Sequence, residues 1–316
     1  MNRLVLIDGN AVMHRAYHAL PPLTAPDGKP VHVVYGFVSI ILKIFHDLKP
    51  SHMTVAFDRP GPTFREKLFA AYQSQRPKME DDFISQIPLV HDVVAAFGIP
   101  IFESDGFEAD DVIGTICRQV MKTVIHQVVI ITGDRDILQL VRDEKVLVFM
   151  PTKGLSEGKL YGEKDVTERM GVAPKFIADL KALMGDASDN YPGVAGIGPK
   201  TAIQLLNQFG SVENVYTDIG RVSGEMIKTK LIAGRESAFL GKHLATIRTD
   251  APITFKAAAA RVTKLDTSEV RNILESMHFP SLLRRLTGEQ APKKRHGHDS
   301  KEEKKLPKKE QQQALF

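Results

Sequence analysis

The sequence holds a single cysteine, Cys117, among 316 residues. An internal disulfide is excluded, and no second thiol stands ready to complete a zinc site. Cys117 shares a helical face with Ile113 and Val120, which predicts core packing. The histidines lack metal-ligand spacing; His14, His18 and His32 read as surface or capping groups. No stretch of about 20 consecutive apolar residues occurs. Met1 leads directly toward the strand-like LVLID at 4–8, without a charged leader and cleavage site. The expectation is a soluble cytoplasmic monomer, nucleoid-associated if it acts on DNA, with no membrane partner. Neither a Walker pattern nor GxGxxG between a strand and a helix appears, so a nucleotide-binding loop is excluded.

Net charge is also nearly missing from the body of the chain. The formal total is +4, and the segment from Pro292 to Phe316 carries eight basic against four acidic residues, which is the whole excess. Affinity for phosphate would then have to come from charges separated in space, because local potential and not the average attracts a polyanion.

What is present is ordinary globular material, 43% hydrophobic and 25% charged, enough for a sizeable core. Apolar runs alternate with amphipathic segments: LVLID, a helix from about 36 to 48, MTVAFD at 53–58, a helix from about 82 to 97, IPIF, a helix from 109, VVIIT at 128–132 and KVLVFM at 145–150. This predicts an α/β core over 1–170, a central mostly parallel sheet flanked by helices. Residues 59–82 break the pattern with proline, basic groups and aromatics, and read as an inserted arch. Composition turns helical over 171–289, with helices near 225–232, 235–244 and 268–279, and 290–316 reads as a disordered basic tail.

Carboxylates recur at the ends of the apolar runs. Asp8 closes the first, Asp58 the second, and Asp134 with Asp136 follows VVIITG. In an open α/β sheet, ligands collect beyond the carboxyl ends of the strands, so these side chains should converge. Glu108, Asp110 and Asp111 open a helix with more acid than capping requires. Asp186 and Asp189 stand one turn apart. Such crowding is tolerable only with positive charge among the acids, and oxygen-only ligation favours Mg²⁺ or Mn²⁺. Two such ions about 4 Å apart would serve phosphodiester hydrolysis without a protein nucleophile.

Two segments offer grips for nucleic acid. Gly193, Gly196 and Gly198 precede a helix beginning near Pro199, with Lys200 and Thr201 in its first turn. Free amides at a helix N-terminus bind anions, and the pattern matches a helix-hairpin-helix element at about 184–210. In the arch, Arg65, Lys67, Arg76 and Lys78 alternate with Phe64, Phe69 and Tyr72, which suits stacked single-stranded bases.

The motifs LIDGN at 6–10, VYGF at 34–37, EADDVIGT at 108–115, TGDRD at 132–136 and MGDASDNYPGVAGIGPKTA at 184–202 give the chain a resemblance to the 5′ nuclease (flap endonuclease) family, in the form of the 5′-3′ exonuclease domain of bacterial DNA polymerase I. The resemblance spans about 2–288 and implies a PIN-like nuclease core with a helical arch. It implies two-metal-ion cleavage of 5′ flaps, nicked duplex or RNA-DNA primer junctions in replication and repair. By motif, the nine acids named above become metal ligands, and Arg65, Tyr72, Arg76 and Lys78 the arch's catalytic candidates. The Gly193–Thr201 element becomes the duplex grip, with K⁺ as a structural ion there. Two departures stand out. Tyr72 is followed by Gln73 where the family usually has lysine, an alteration that bears on transition-state charge. The chain also ends where a polymerase would continue, on a sequence whose Gln312, Leu315 and Phe316 match the short peptides that dock on a sliding clamp. The alternatives are a catalytically weakened flap-DNA-binding or clamp-recruiting module, and a PIN-like ribonuclease.

Overall fold

The computed structural model describes residues 1–153 and 157–288. The chain opens with β1 (Arg3–Asp8), α1 (Gly9–Ala19), α2 (His32–Leu48) and β2 (His52–Ala56). An inserted segment carries α3 (Phe64–Leu68) and α4 (Asp81–Ile84). It leads into α5 (Ile87–Ala96), β3 (Ile101–Phe102), α6 (Ala109–Val120), β4 (Gln127–Ile131), β5 (Val146–Lys153) and β6 (Glu157–Tyr161). The remainder is helical, α7 (Glu163–Met170) and α8 (Ile177–Met184), then a hairpin of β7 (Gly185–Asp186) and β8 (Tyr191–Pro192). After it come α9 (Pro199–Phe209), α10 (Val212–Thr217), α11 (Glu225–Ala233), α12 (Arg235–Ala245), α13 (Ser268–Ser276) and α14 (Pro280–Thr287). No helix among the described residues is long and apolar enough to cross a membrane.

The six-stranded sheet has the order β3-β2-β1-β4-β5-β6, parallel except where β6 pairs antiparallel with β5. Every residue of β2 and β4 is buried, as strands covered on both faces must be. Alternation by two then assigns side chains to two cores. Leu4, Leu6, Val128, Ile130 and Val148 face α6, through Val112, Ile113, Ile116 and Cys117, and on into residues 172–260 as one cluster. Val5, Ile7, Val55, Val129 and Ile131 face α1, α2 and α5. Leu265, Val270, Leu274, Phe279 and Leu282 join this second core, so the helical stretch expected over 171–289 is split between opposite faces of the sheet.

One expected helix is corrected by local chemistry, and two further details of the chain come from the structure. The helix expected over 82–97 is broken after Ile84, because Pro88 cannot donate a backbone hydrogen bond and the Gln86 side chain turns inward, its Oε1 accepting from Val33 N at 2.8 Å. The insertion at 59–82 is not a continuous helical arch: after five helical residues it runs in turns. The antiparallel strand β6, whose residues 157–160 are exposed and whose only apolar side chains before Gly162 are Leu160 and Tyr161, carried no apolar pattern to announce it.

Candidate active site

The sheet delivers its acids to one edge. Asp8 ends β1, Asp58 lies two residues beyond β2, and Asp134 and Asp136 follow β4. The order reverses between β1 and β4, the crevice where an open α/β sheet accommodates ligands. The start of α6 adds Glu108 and Asp110. Asp8, Asp58, Glu108, Asp110, Asp134, Asp136 and Asp189 all line one cleft of about 800 Å³. Asp186, on β7, joins at one end, where carboxylate oxygens of Asp136, Asp186 and Asp189 lie within 4.8 Å of one another.

Each acid is held by its own local geometry. Asp8 caps α1, with Oδ1 accepting from Ala11 N at 3.0 Å and Oδ2 from Thr132 Oγ1 at 2.6 Å. Asp58 accepts from Ala109 N at 2.6 Å, and its own N–H donates to Asn10 Oδ1 at 3.0 Å. Asp134 accepts from the Asp136 amide at 2.8 Å. Burial pushes the Asp8 carboxyl up to about 7 against its hydrogen bonds, with Asp58 and Asp134 adding repulsion. Burial likewise lifts Glu108 to about 7, Asp136 to about 6, and Asp58 above the ordinary range. Asp110 is raised well above the ordinary range, by burial and then by Asp134, Asp8 and Asp136. Burial is the leading cause in each case, and repulsion between neighbouring carboxylates adds to it.

The exception is the end near the hairpin. Lys181, from α8, forms ion pairs with both Asp136 and Asp186. Burial raises the Asp186 carboxyl, but Lys181 and Ser188 outweigh it and hold the group below its usual range. Sequence reasoning missed Lys181, Thr132 and Asn10. Lys181 lies five residues before Asp186 in the last turn of α8, a spacing that could have suggested it.

Asp111, expected among the metal acids, does not line the cleft. It is fully buried, the N3 partner of Glu108 in the capping box of α6. It accepts from Arg65 Nη1 at 2.7 Å and Nη2 at 2.9 Å, from Arg248 N at 2.8 Å and from Glu108 N at 3.1 Å. Its lone pairs are spent inside the protein. Arg65 is 2% exposed, and its guanidinium also donates to the Leu244 and Thr246 carbonyls, so it pins the insertion to the 244–248 segment.

The turn of the insertion reaches Asp189 through Tyr72, Gln73 and Arg76. Tyr72, expected to offer a flat face to bases, is 5% exposed and stacks on Tyr191, while its hydroxyl donates to Asp189 and Glu108 at 3.3 Å. Gln73 takes the left-handed conformation at φ 54°, its amide donating to the Asp189 carbonyl at 2.9 Å and its Nε2 to Oδ1 at 3.1 Å. Arg76 donates to the same carboxylate at 2.6 Å yet keeps its side chain 54% exposed. Lys78 is exposed along the cleft rim. Phe69 packs partly buried beneath Tyr72.

The glycines before α9 divide. A Cβ on Gly193 would lie 2.2 Å from Gly185 N, so this glycine exists for close backbone approach in the hairpin and not for a ligand. Gly196 is covered by Lys230, whose Nζ donates to the Gly196 carbonyl at 3.3 Å. Gly198 caps α9 and faces open space, with Lys200 exposed in the first turn and Thr201 half-buried beside it. Gln312, Leu315 and Phe316 lie outside the described residues.

Fold and cleft together define a class, the nuclease-like α/β chains with an acidic crevice at the carboxyl edge of a parallel sheet. Family models make it specific: the 5′-3′ exonuclease N-terminal resolvase-like domain matches residues 3–171, and the 5′-3′ exonuclease C-terminal SAM fold matches 172–268. The chain belongs to the 5′-3′ exonuclease family. It is 41% identical over 285 residues to the DNA polymerase I of Caldicellulosiruptor bescii, covering 90% of this chain and 33% of that one. The chain thus spans about a third of the length of the polymerases it matches. In solved structures the same fold occurs in the T5 5′-exonuclease with bound divalent zinc, at TM-score 0.66 and 20% identity, covering 91% of this chain and 97% of that one. It occurs also in the catalytic core of Rad2 in complex with DNA substrate, at TM-score 0.56 and 16% identity, covering 92% of each chain.

Proposed function

We propose that this chain is a structure-selective 5′ nuclease that hydrolyses phosphodiester bonds at 5′ flaps, nicks or RNA-DNA primer junctions with Mg²⁺ as cofactor, Mn²⁺ substituting. The observation that carries it is the meeting of eight carboxylates, from Asp8 to Asp189, at one edge of the sheet. The donors fit such an ion: all are carboxylate oxygens, the hard ligands that a hydrated divalent ion takes. Asp136, Asp186 and Asp189 would hold one ion; Asp8, Glu108, Asp110 and Asp134 would hold or orient another through its waters. Bound there, the ions supply Lewis-acid activation of water and charge stabilisation at the leaving oxygen.

The chain's own groups do the rest. Arg76 and Lys78, exposed on the rim, draw the phosphate backbone toward the cleft. Tyr72 and Gln73 fix Asp189 in place. The amides at the start of α9, with Lys200 and Thr201, would take duplex phosphates, a K⁺ ion completing the site with nearby carbonyls. The full-length chain would act as a cytoplasmic monomer on the nucleoid. A clamp contact through Gln312, Leu315 and Phe316 is tested by pulldown with purified sliding clamp; equal retention of a chain lacking these residues removes it.

The deciding experiment maps products from flapped, nicked and RNA-primed duplexes in Mg²⁺ and in Mn²⁺. Asp134→Asn and Asp186→Asn should each lower cleavage about a hundredfold or more, the scale of losing one electrostatic stabiliser, while binding in Ca²⁺ persists. Undiminished turnover in both variants would defeat the metal assignment, and cleavage of RNA alone would favour the ribonuclease reading.

A further inference from the structure

Among the described residues, one buried side-chain polar atom has no hydrogen-bond partner: the hydroxyl of Tyr191. The residue is 4% exposed. It sits on β8 directly opposite Asp186 on β7, and directly opposed residues of an antiparallel pair project from the same face. The tyrosine ring therefore rises beside the Asp186 carboxylate. Its plane is fixed by Tyr72, stacked at 6.3 Å between centroids and 19° between planes. Asp186 is one of the three acids, with Asp136 and Asp189, whose carboxylate oxygens gather within 4.8 Å.

A buried hydroxyl without a partner costs stability, and native structures seldom leave one so. The neighbouring acids are already engaged within the protein: Asp189 with Tyr72, Gln73 and Arg76, and Asp186 with Lys181 and Ser188. A hydrated ion changes this balance. Mg²⁺ keeps several of its waters when held by few carboxylates, and those waters are donors and acceptors that need fixed neighbours.

We propose that Tyr191 is a positioning residue for a hydrated divalent cation held by Asp136, Asp186 and Asp189, its hydroxyl hydrogen-bonding to a water that remains on the ion. The inference rests on the metal reading of the cleft and adds to it a residue that no carboxylate pattern would reveal. Tyr72 differs, because its hydroxyl is satisfied by Asp189 and Glu108 without an ion.

The test compares the full chain with Tyr191→Phe by two readouts that need no turnover, Mn²⁺ binding followed by electron paramagnetic resonance and thermal unfolding with and without chelator. In chelator, Tyr191→Phe should unfold at the same temperature as the unsubstituted chain or higher, because it removes an unpaired buried hydroxyl. In Mn²⁺ it should gain less, with one class of site weakened about tenfold and the other unchanged. Tyr191→Leu, which keeps apolar bulk without the ring, should show the same weakening. Identical Mn²⁺ isotherms overturn the proposal, as does a Tyr191→Phe chain that is equally destabilised in chelator and in Mn²⁺ or fails to fold in chelator, since the hydroxyl would then serve the protein alone. Failure of the unsubstituted chain to bind Mn²⁺ would instead defeat the metal reading itself.

Discussion

Substituting Asp111 by asparagine separates a structural acid from the proposed metal acids beside it. The native carboxylate is fully buried, and the Arg65 side chain it pairs with is 3% exposed. Asparagine keeps the shape but removes the charge, and its amide nitrogen confronts guanidinium donors at one of the two contacts now 2.7 and 2.9 Å long. Breaking one partner of a buried pair costs about 3–5 kcal/mol, because the remaining charge stays buried without compensation. Glu108, with Oε2 at 3.5 Å from Arg65 Nη1, offers partial relief, so the lower end, about 3 kcal/mol, is expected. For a chain of this size that lowers the melting temperature by roughly 5 °C. The assay is thermal unfolding followed by circular dichroism in chelator, so that no metal contributes, with Asp134→Asn in parallel. Asp134→Asn relieves repulsion within the acid cluster and should melt no lower than the native chain. The reasoning fails if Asp111→Asn melts like the native chain in chelator while losing cleavage as fully as Asp134→Asn, for Asp111 would then be a metal acid after all.

Proton linkage gives a second expectation. Asp8 and Glu108 titrate near about 7 and Asp136 near about 6 when folded, all above their unfolded values. The metal-free native state thus binds more protons than the unfolded chain between about pH 4 and 7, and its stability falls as pH rises across that window. Calorimetry in chelator should show a lower melting temperature near about pH 8 than near about pH 5, and Mg²⁺ should reverse the order; a metal-free melting temperature that climbs through this range would contradict it. The glycines before α9 provide a third. Gly193→Ala places a Cβ 2.2 Å from backbone and should destabilise strongly, by about 1–3 kcal/mol or more. Gly198→Ala meets open space and should cost about 1 kcal/mol or less, while weakening duplex binding measured by fluorescence anisotropy. Equal losses of stability in the two would refute the division between them.

The strands and their carboxyl-end acids were legible because a buried parallel sheet demands apolar runs and its topology sends whatever follows them to one edge; Asp8 and Asp134 needed no more than that. Asp111 was not legible. An acid in the first turn of a helix can cap, pair with an arginine or bind a metal, and only the burial of Arg65 and the backbone of 244–248 decide which. Tyr72 and Arg65 misled for a related reason: an aromatic beside basic residues reads as a stacking surface unless the partner that buries it, here Tyr191 or Asp111, is known to be near. The break after Ile84 depended on Gln86 reaching Val33, a contact across 53 positions that no local period encodes. The return of 265–282 to the far face of the sheet was hidden because an amphipathic helix records that one side is covered, not by what.

The spread of the acids along the chain bears on how the protein is made. β1 waits for β4, whose residues lie 124 positions later at the closest register, and Asp186 and Asp189 emerge later still. A growing polypeptide on the ribosome therefore carries every early carboxylate before it can bring them together. The complete acid cluster, and with it the activity proposed above, would arise only after most of the sequence has been synthesised and the late helices have closed around the hairpin.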